Sequence, residues 1–166
     1  PVDPISRTSI MLSLSGSLTF STAAHEAAAR PWEWLLRPVL MAYWYDPHYT
    51  AAISFTIWAL IIPTVLYMAY QAIKGSSAGL FGVAWFAGTY LFWIPTSLIT
   101  NRISFIFYFY PTVGAICVGL GLGLAQLGVI GERKKSGRCR WLRLIAPAFL
   151  LLHVIVFVIL TPVFAR

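Results

Sequence analysis

Long apolar stretches alternate with short polar segments over the last two-thirds of the chain. A helix needs about 20 predominantly apolar residues to cross a hydrocarbon core of about 30 Å. Four stretches meet this requirement, and they cover about residues 50–73, 78–99, 103–130 and 141–164. The pattern therefore predicts an all-α, polytopic membrane protein with four transmembrane helices, the first of them kinked at Pro63.

The region before the first stretch contains no segment long enough to span a membrane. The apolar run Ile10–Phe20 is short and rich in serine, which is typical of a helix that lies along the membrane interface. An aromatic loop with five Trp and Tyr residues follows it. These residues favour the headgroup level, so an interfacial belt is the simplest interpretation, with a saccharide or lipid-headgroup site as the alternative. The chain thus divides into an interfacial segment, 1–49, and a four-helix transmembrane module, 50–166.

Composition and charge support a membrane protein and argue against nucleic-acid binding. Of the 166 residues, 59% are hydrophobic and 10% are charged, whereas about a quarter are charged in a soluble domain. The net charge is +7, but six of the twelve basic residues lie between Arg133 and Arg143. A basic cluster of this kind is typical of a cytoplasmic membrane loop. The loop 131–143 is therefore predicted to be cytoplasmic, which places both termini on the extracytoplasmic or lumenal side.

This topology brings the candidate ligand-binding residues to one outer face. They are His25, Trp32, Trp34, Arg37 and Arg102. Arg102 opens the third apolar stretch, and a guanidinium in hydrocarbon is costly unless it is paired or hydrated. Because an outer arginine also runs against the usual charge bias, we expect an anionic ligand there.

The cysteines and the third histidine suggest no metal site or disulfide. Cys117 lies inside an apolar stretch and Cys139 lies in the basic loop, so we expect them not to pair. His153 lies in the middle of the fourth stretch, where we expect a hydrogen-bonded imidazole that faces the helix bundle rather than a ligand site. No cofactor is evident from the sequence.

A set of motifs occurs in a characteristic order. The set consists of His25, Pro31-Trp32-Glu33-Trp34, Arg37-Pro38, Tyr43, Trp85, Tyr90-Leu91-Phe92-Trp93, Arg102, Phe105, Phe107-Tyr108-Phe109 and Pro111. In this order, with spans between them, the motifs resemble the C-terminal four-transmembrane module of the protein O-mannosyltransferases, which belong to glycosyltransferase family 39. The resemblance covers about residues 10–130. The chain departs from the family pattern at Glu26-Ala27, where Pro-Tyr is common, and at Tyr108, where His is frequent.

The resemblance implies a GT-C membrane fold and a role in mannosyl transfer to Ser or Thr of exported proteins. The donor would be dolichyl- or polyprenyl-phosphate-mannose, with its phosphate or sugar bound by the outer-face residues, above all Arg102. The acidic pair that serves the family in catalysis has no counterpart here, so no catalytic residue is assigned. The N-terminal part of the same enzyme or a partner membrane subunit is expected to supply it. Glu33 is the one tempting general base, and a structural role is favoured for it.

A non-catalytic function is the alternative. The third stretch carries small residues at Gly119, Gly121 and Gly123, and small residues let a second helix approach closely. On this interpretation the chain is a four-span accessory subunit that packs against a larger membrane complex. The two hypotheses differ in whether an upstream segment of the same gene, or a neighbouring gene, encodes spans with an outer-loop acidic pair.

Overall fold

The computed structural model describes residues 3–22, 25–45, 48–133 and 141–160. The helices are α1 Pro4–Ser17, α2 Glu33–Leu36, α3 Phe55–Trp58, α4 Ile61–Ile73, α5 Ser77–Phe86, α6 Trp93–Thr100, α7 Tyr110–Arg133 and α8 Leu142–Leu160. A π-helical turn, Ala87–Leu91, joins α5 to α6, and a 3₁₀ turn, Ile106–Phe109, precedes α7. An antiparallel hairpin of β1 Met41–Tyr45 and β2 His48–Ala51 lies between α2 and α3. The part of the chain that the structure describes is thus mainly helical, with one short hairpin.

Within the described residues, three helical stretches are long and apolar enough to cross a membrane. They are Ser77–Thr100, Ile106–Glu132 and Leu142–Ile159. The predicted second, third and fourth spans are therefore confirmed as helices of spanning length. Residues 161–164 of the last predicted span, and residues 134–140 of the basic loop with Cys139, lie outside the described part of the chain.

The predicted first span differs from the structure. Strand β2 extends to Ala51, and Ala59 and Leu60 separate the short helix α3 from α4. Pro63 lies in the first turn of α4, where its missing N–H would have no helical partner in any case. The prediction of one continuous helix over 50–73 with a kink at Pro63 is therefore wrong, because this proline helps to begin a helix.

The end of α6 follows directly from its sequence. Asn101 adopts a left-handed conformation with φ of 49°, and asparagine tolerates that conformation better than most residues. The π-helical turn lies shortly before Pro95, which can donate no backbone hydrogen bond and would crowd the carbonyl one turn earlier. Both irregularities shape the second span at the end where it meets the N-terminal region.

Glycine allows α4, α5 and α7 to approach closely. A Cβ added at Gly119 of α7 would stand 2.7 Å from Met68 Cγ and would also overlap the methyl group of Thr64. Met68 is fully buried in this contact. In contrast, a Cβ at Gly121 would meet nothing within 4 Å. The Gly119 side of α7 is therefore used for packing inside the chain.

Candidate functional site

The segment from Leu18 to Arg37, here called the cap segment, lies against the turn between the second and third spans. Residues 23 and 24 of this segment lie outside the described part. Thr19 and Arg102 form an isolated antiparallel bridge. Beside it, Phe20 N–H donates to the Asn101 carbonyl at 3.0 Å, and Ile103 N–H donates to the Leu18 carbonyl at 3.1 Å. Further along, Ala29 N–H donates to the Ser104 carbonyl at 2.9 Å. Main-chain bonds thus fix where the cap segment lies.

Side chains of the helices also hold the cap segment. The Tyr90 hydroxyl donates to the Pro31 carbonyl at 3.2 Å, and Trp58 Nε1–H donates to the Trp34 carbonyl at 3.1 Å. The Trp34 ring is fully buried and packs edge-on against Phe109 at 6.1 Å between ring centroids. Because its ring lies in the core, Trp34 is positioned to anchor the cap segment rather than to stack on a sugar.

Arg30 was not among the predicted ligand-binding residues, but its guanidinium makes several contacts in and around the cap segment. Its guanidinium lies 4.6 Å from the centroid of Phe20 and 5.4 Å from that of Trp32. It also donates to Asn101 Oδ1 at 3.2 Å. These contacts are typical of a cation held by aromatic faces. The contact with Asn101 joins positions far apart in the chain, so no local sequence pattern indicated it.

Glu33 is engaged on both of its carboxylate oxygens. Oε2 accepts a hydrogen bond from the Arg30 backbone N–H at 2.6 Å, and Oε1 pairs with Arg37 at 2.9 Å. These partners close the turn that begins α2. The structure thus supports the structural role favoured for Glu33, and it places Arg37 in an ion pair at the surface.

Arg102 differs from the other two arginines of this region. Its side chain is half-buried, and within the described residues its guanidinium has no hydrogen bond or ion pair with another side chain. Arg30 is engaged by aromatic rings and Asn101, and Arg37 by Glu33. Arg102 is therefore the arginine of this region whose charge remains open to an external anion.

His25 begins a series of aromatic contacts. Its Nδ1 accepts from the Ala27 N–H at 3.1 Å, which leaves Nε2 to carry the proton of a neutral ring. The imidazole meets Phe105 edge-on at 5.2 Å. The series continues through ring pairs at centroid distances of 5.5 Å for Phe105–Phe107, 4.5 Å for Phe107–Tyr108 and 4.5 Å for Tyr108–Trp93. These partly exposed rings form an aromatic surface that begins three residues after Arg102.

The remaining predictions concern metals and the intramembrane histidine. Among the described residues, no group of three His, Cys, Asp or Glu could hold a metal ion. His153 Nδ1 lies 2.6 Å from Thr56 Oγ1 and 3.4 Å from Ser54 Oγ. The expectation of a hydrogen-bonded imidazole that faces the bundle is therefore confirmed.

No protein-family model, curated protein or solved structure matches this chain. The resemblance of its motifs to the protein O-mannosyltransferases therefore stays a prediction. The feature of this region that bears on function is the half-buried Arg102 guanidinium, which has no side-chain partner among the described residues.

Proposed function

We propose that this chain is a membrane module of a polyprenyl-phosphate-sugar-dependent glycosyltransferase. It contributes to the groove for the lipid-phosphate sugar, and mannose is transferred to Ser or Thr of exported proteins. The single observation that carries the proposal is the half-buried guanidinium of Arg102, which has no side-chain partner among the described residues. The N-terminal part of the same enzyme or a partner membrane subunit supplies the catalytic carboxylate.

The proposed topology has four spans. The tandem helices α3 and α4 act as the first span, and the basic loop 131–143 lies in the cytoplasm. The cap segment then faces the extracytoplasmic or lumenal side. Helix α1 lies in the interface, a placement supported by the exposed apolar side chains of Ile5, Met11 and Leu12.

The chemistry of the donor suits this arrangement. When the glycosidic bond breaks, negative charge develops on the lipid phosphate, and a fixed cation in a poorly hydrated site stabilises it. The planar guanidinium of Arg102 can pair with two phosphate oxygens at once. Trp32 is half-buried and His25 is exposed, so both remain accessible to the sugar. Arg37 contributes less to donor binding, because it is paired with Glu33. Trp34 contributes only by anchoring the cap segment.

The accessory-subunit alternative has lost part of its basis. It depended on the small-residue face of the third helix, and Gly119 of that face packs against Thr64 and Met68 within the chain. Gly121 of the same face is open, since a Cβ there would meet nothing within 4 Å. We therefore retain the glycosyltransferase module as the proposed function.

Substitution of Arg102 tests the proposal in the native membrane assembly. Arg102→Ala removes the charge, whereas Arg102→Lys keeps the charge but loses the planar fork. We expect Lys to retain part of the affinity for polyprenyl-phosphate-mannose and Ala to retain little. Arg7→Ala is the matched control, because Arg7 is an exposed arginine of α1. Unchanged donor binding in both Arg102 variants would show that the phosphate assignment is wrong.

A further inference from the structure

Arg143, in the first turn of α8, ties this helix to the end of α7. Its Nε–H donates to the carbonyl of Gly131 at 3.2 Å. Gly131 belongs to the last turn of α7, where the final carbonyls have no partner within the helix. The bond therefore satisfies one of these carbonyls and fixes the guanidinium where the two helices meet. We call the region of Gly131, Trp141 and Arg143 the α7–α8 junction.

Most of the hydrogen-bonding capacity of Arg143 remains unused. The bond to Gly131 takes one of the five N–H donors of the guanidinium. The four donors on the two Nη atoms have no hydrogen bond or ion pair within the described residues, and the side chain is exposed. Glu132 is exposed as well and forms no ion pair with it. A guanidinium that is fixed through Nε and open at both Nη atoms presents the planar fork that pairs with two phosphate oxygens.

The sequence around Arg143 carries far more positive than negative charge. Residues 131–143 contain six basic residues and one acidic residue, which gives a net charge of +5. The other four acidic residues of the chain all lie within its first 46 positions. The loop can therefore neutralise at most one of its own cations, and the remaining charge attracts anions from the surroundings.

The position of this charge relative to the membrane determines which anions it meets. The apolar stretches end at Glu132 and begin again at Leu142, so nine residues connect them. A connection of this length reaches no further than about 17 Å from the span ends, even when it is fully extended. Trp141 is exposed, and tryptophan favours the headgroup level of a membrane. The junction therefore lies at the level of the lipid phosphates, which surround it in the membrane.

We propose that the α7–α8 junction is a binding site for an anionic membrane phospholipid, whose phosphate pairs with the Nη atoms of Arg143. The surplus charge of the loop 131–143 favours an anionic headgroup over a zwitterionic one, because a zwitterionic headgroup brings its own cation. The acyl chains lie against the exposed side chains of Leu144 and Ile145 on α8. The site is at the opposite end of α7 from the cap segment and does not depend on the glycosyltransferase assignment.

Lipid binding to the purified native assembly tests this proposal. The assembly is stripped of lipid in detergent and titrated with phosphatidylglycerol or with phosphatidylcholine of the same acyl chains. Native mass spectrometry counts the bound lipids and gives a Kd for the first of each. Because phosphatidylglycerol is anionic and phosphatidylcholine is zwitterionic, the pair isolates the effect of headgroup charge. Polyglutamate, a soluble polyanion, is tested separately as a stand-in for an acidic protein.

We expect phosphatidylglycerol to bind more tightly than phosphatidylcholine. Raising the ionic strength from about 0.05 to 0.5 M should weaken only the binding of phosphatidylglycerol, and this comparison uses the unaltered protein. Arg143→Gln should raise the Kd for phosphatidylglycerol by about tenfold, since it removes a charge-assisted bond, and Arg143→Lys should be intermediate. Lys135→Gln is the matched control, because it removes one charge of the same loop but keeps Arg143. Its effect should not exceed about threefold.

Three results would overturn the proposal. The first is equal affinity for the two lipids in the unaltered assembly, which would remove the selection for an anionic headgroup. The second is an equal loss of affinity in Arg143→Gln and Lys135→Gln, which would leave a diffuse attraction and no site at Arg143. The third is binding of polyglutamate that depends on Arg143 while phosphatidylglycerol shows no such dependence. That result would assign the junction to an acidic protein instead.

Discussion

The hydroxyl of Tyr90 donates a hydrogen bond to the carbonyl of Pro31 in a buried position, at 3.2 Å. Tyr90 belongs to the π-helical turn of the second span, and Pro31 precedes Trp32 in the cap segment. One bond therefore links the interior of the helix bundle to the segment whose backbone pairs with Arg102. The order of the cap segment depends on such buried links as well as on its backbone pairing.

Replacement of Tyr90 by Phe should loosen the cap segment. The substitution keeps the ring among Phe86 and Phe109 but leaves a buried carbonyl without its donor, at a cost of about 1–3 kcal/mol. We expect a lower thermal midpoint in detergent and faster cleavage after Glu26 by a glutamate-specific protease. Tyr70→Phe, at an exposed tyrosine of α4, is the control. Equal midpoints for the two variants would contradict this role of Tyr90.

Two substitutions of Asn101 should separate its side-chain contact from its backbone conformation. Asn101→Gly preserves the left-handed conformation but removes the acceptor for Arg30. Asn101→Ala removes the same acceptor and adds a backbone cost of about 1–2 kcal/mol. The thermal midpoint should therefore fall in the order wild type, Gly, Ala. Identical midpoints for Gly and Ala would show that the backbone conformation contributes nothing.

Gly119 should be sensitive to the addition of a single methyl group. In Gly119→Ala the new Cβ overlaps Met68 and the stiff, β-branched side chain of Thr64, so α4 and α7 must separate. Overpacking of this kind costs typically about 1–3 kcal/mol. Gly128→Ala, in the same helix but in open space, should be neutral or stabilising. If the thermal midpoint of Gly119→Ala were no lower than that of Gly128→Ala, the close contact between α4 and α7 would be refuted.

Glu33 should be dispensable for proton transfer. Its two oxygens are engaged by the Arg30 N–H and by Arg37, so Glu33→Gln should lower stability while transfer continues at a similar rate. Loss of a true general base would instead slow transfer by about 10²–10⁴-fold. Steady-state mannosyl transfer by the native assembly measures the difference. A loss of that size in a folded Glu33→Gln variant would make Glu33 the catalytic base.

The sequence was most informative about the long spans. Apolar length alone located the second, third and fourth helices, because a hydrocarbon core imposes a minimum length on any helix that crosses it. The first span was misjudged because hydropathy does not distinguish a strand from a helix in a short apolar run. Pro63 added to the error, since the same residue kinks a helix interior and begins a helix at its first turn.

The geometry of the cap segment was only partly predictable. The sequence placed His25, Trp32 and Arg102 on one face, but the pairing of Thr19 with Arg102 joins positions far apart in the chain. Local patterns carry no signal for such pairing. For the same reason, the sequence could not show that Trp34 is a core residue or that Arg30 lies between two aromatic rings. The sequence identifies which residues are polar or aromatic. Which residues they contact is known only from the structure.

A transfer assay on the native assembly that contains this chain tests the proposed glycosyltransferase function most directly. The assembly is purified from its own membrane and supplied with radiolabelled polyprenyl-phosphate-mannose and a peptide rich in Ser and Thr. We expect mannose bound to the peptide through a hydroxyl-linked bond, with much reduced transfer in Arg102→Ala and normal transfer in Arg7→Ala. An intact assembly that neither binds this donor nor transfers its sugar would show that the chain is not part of such a glycosyltransferase.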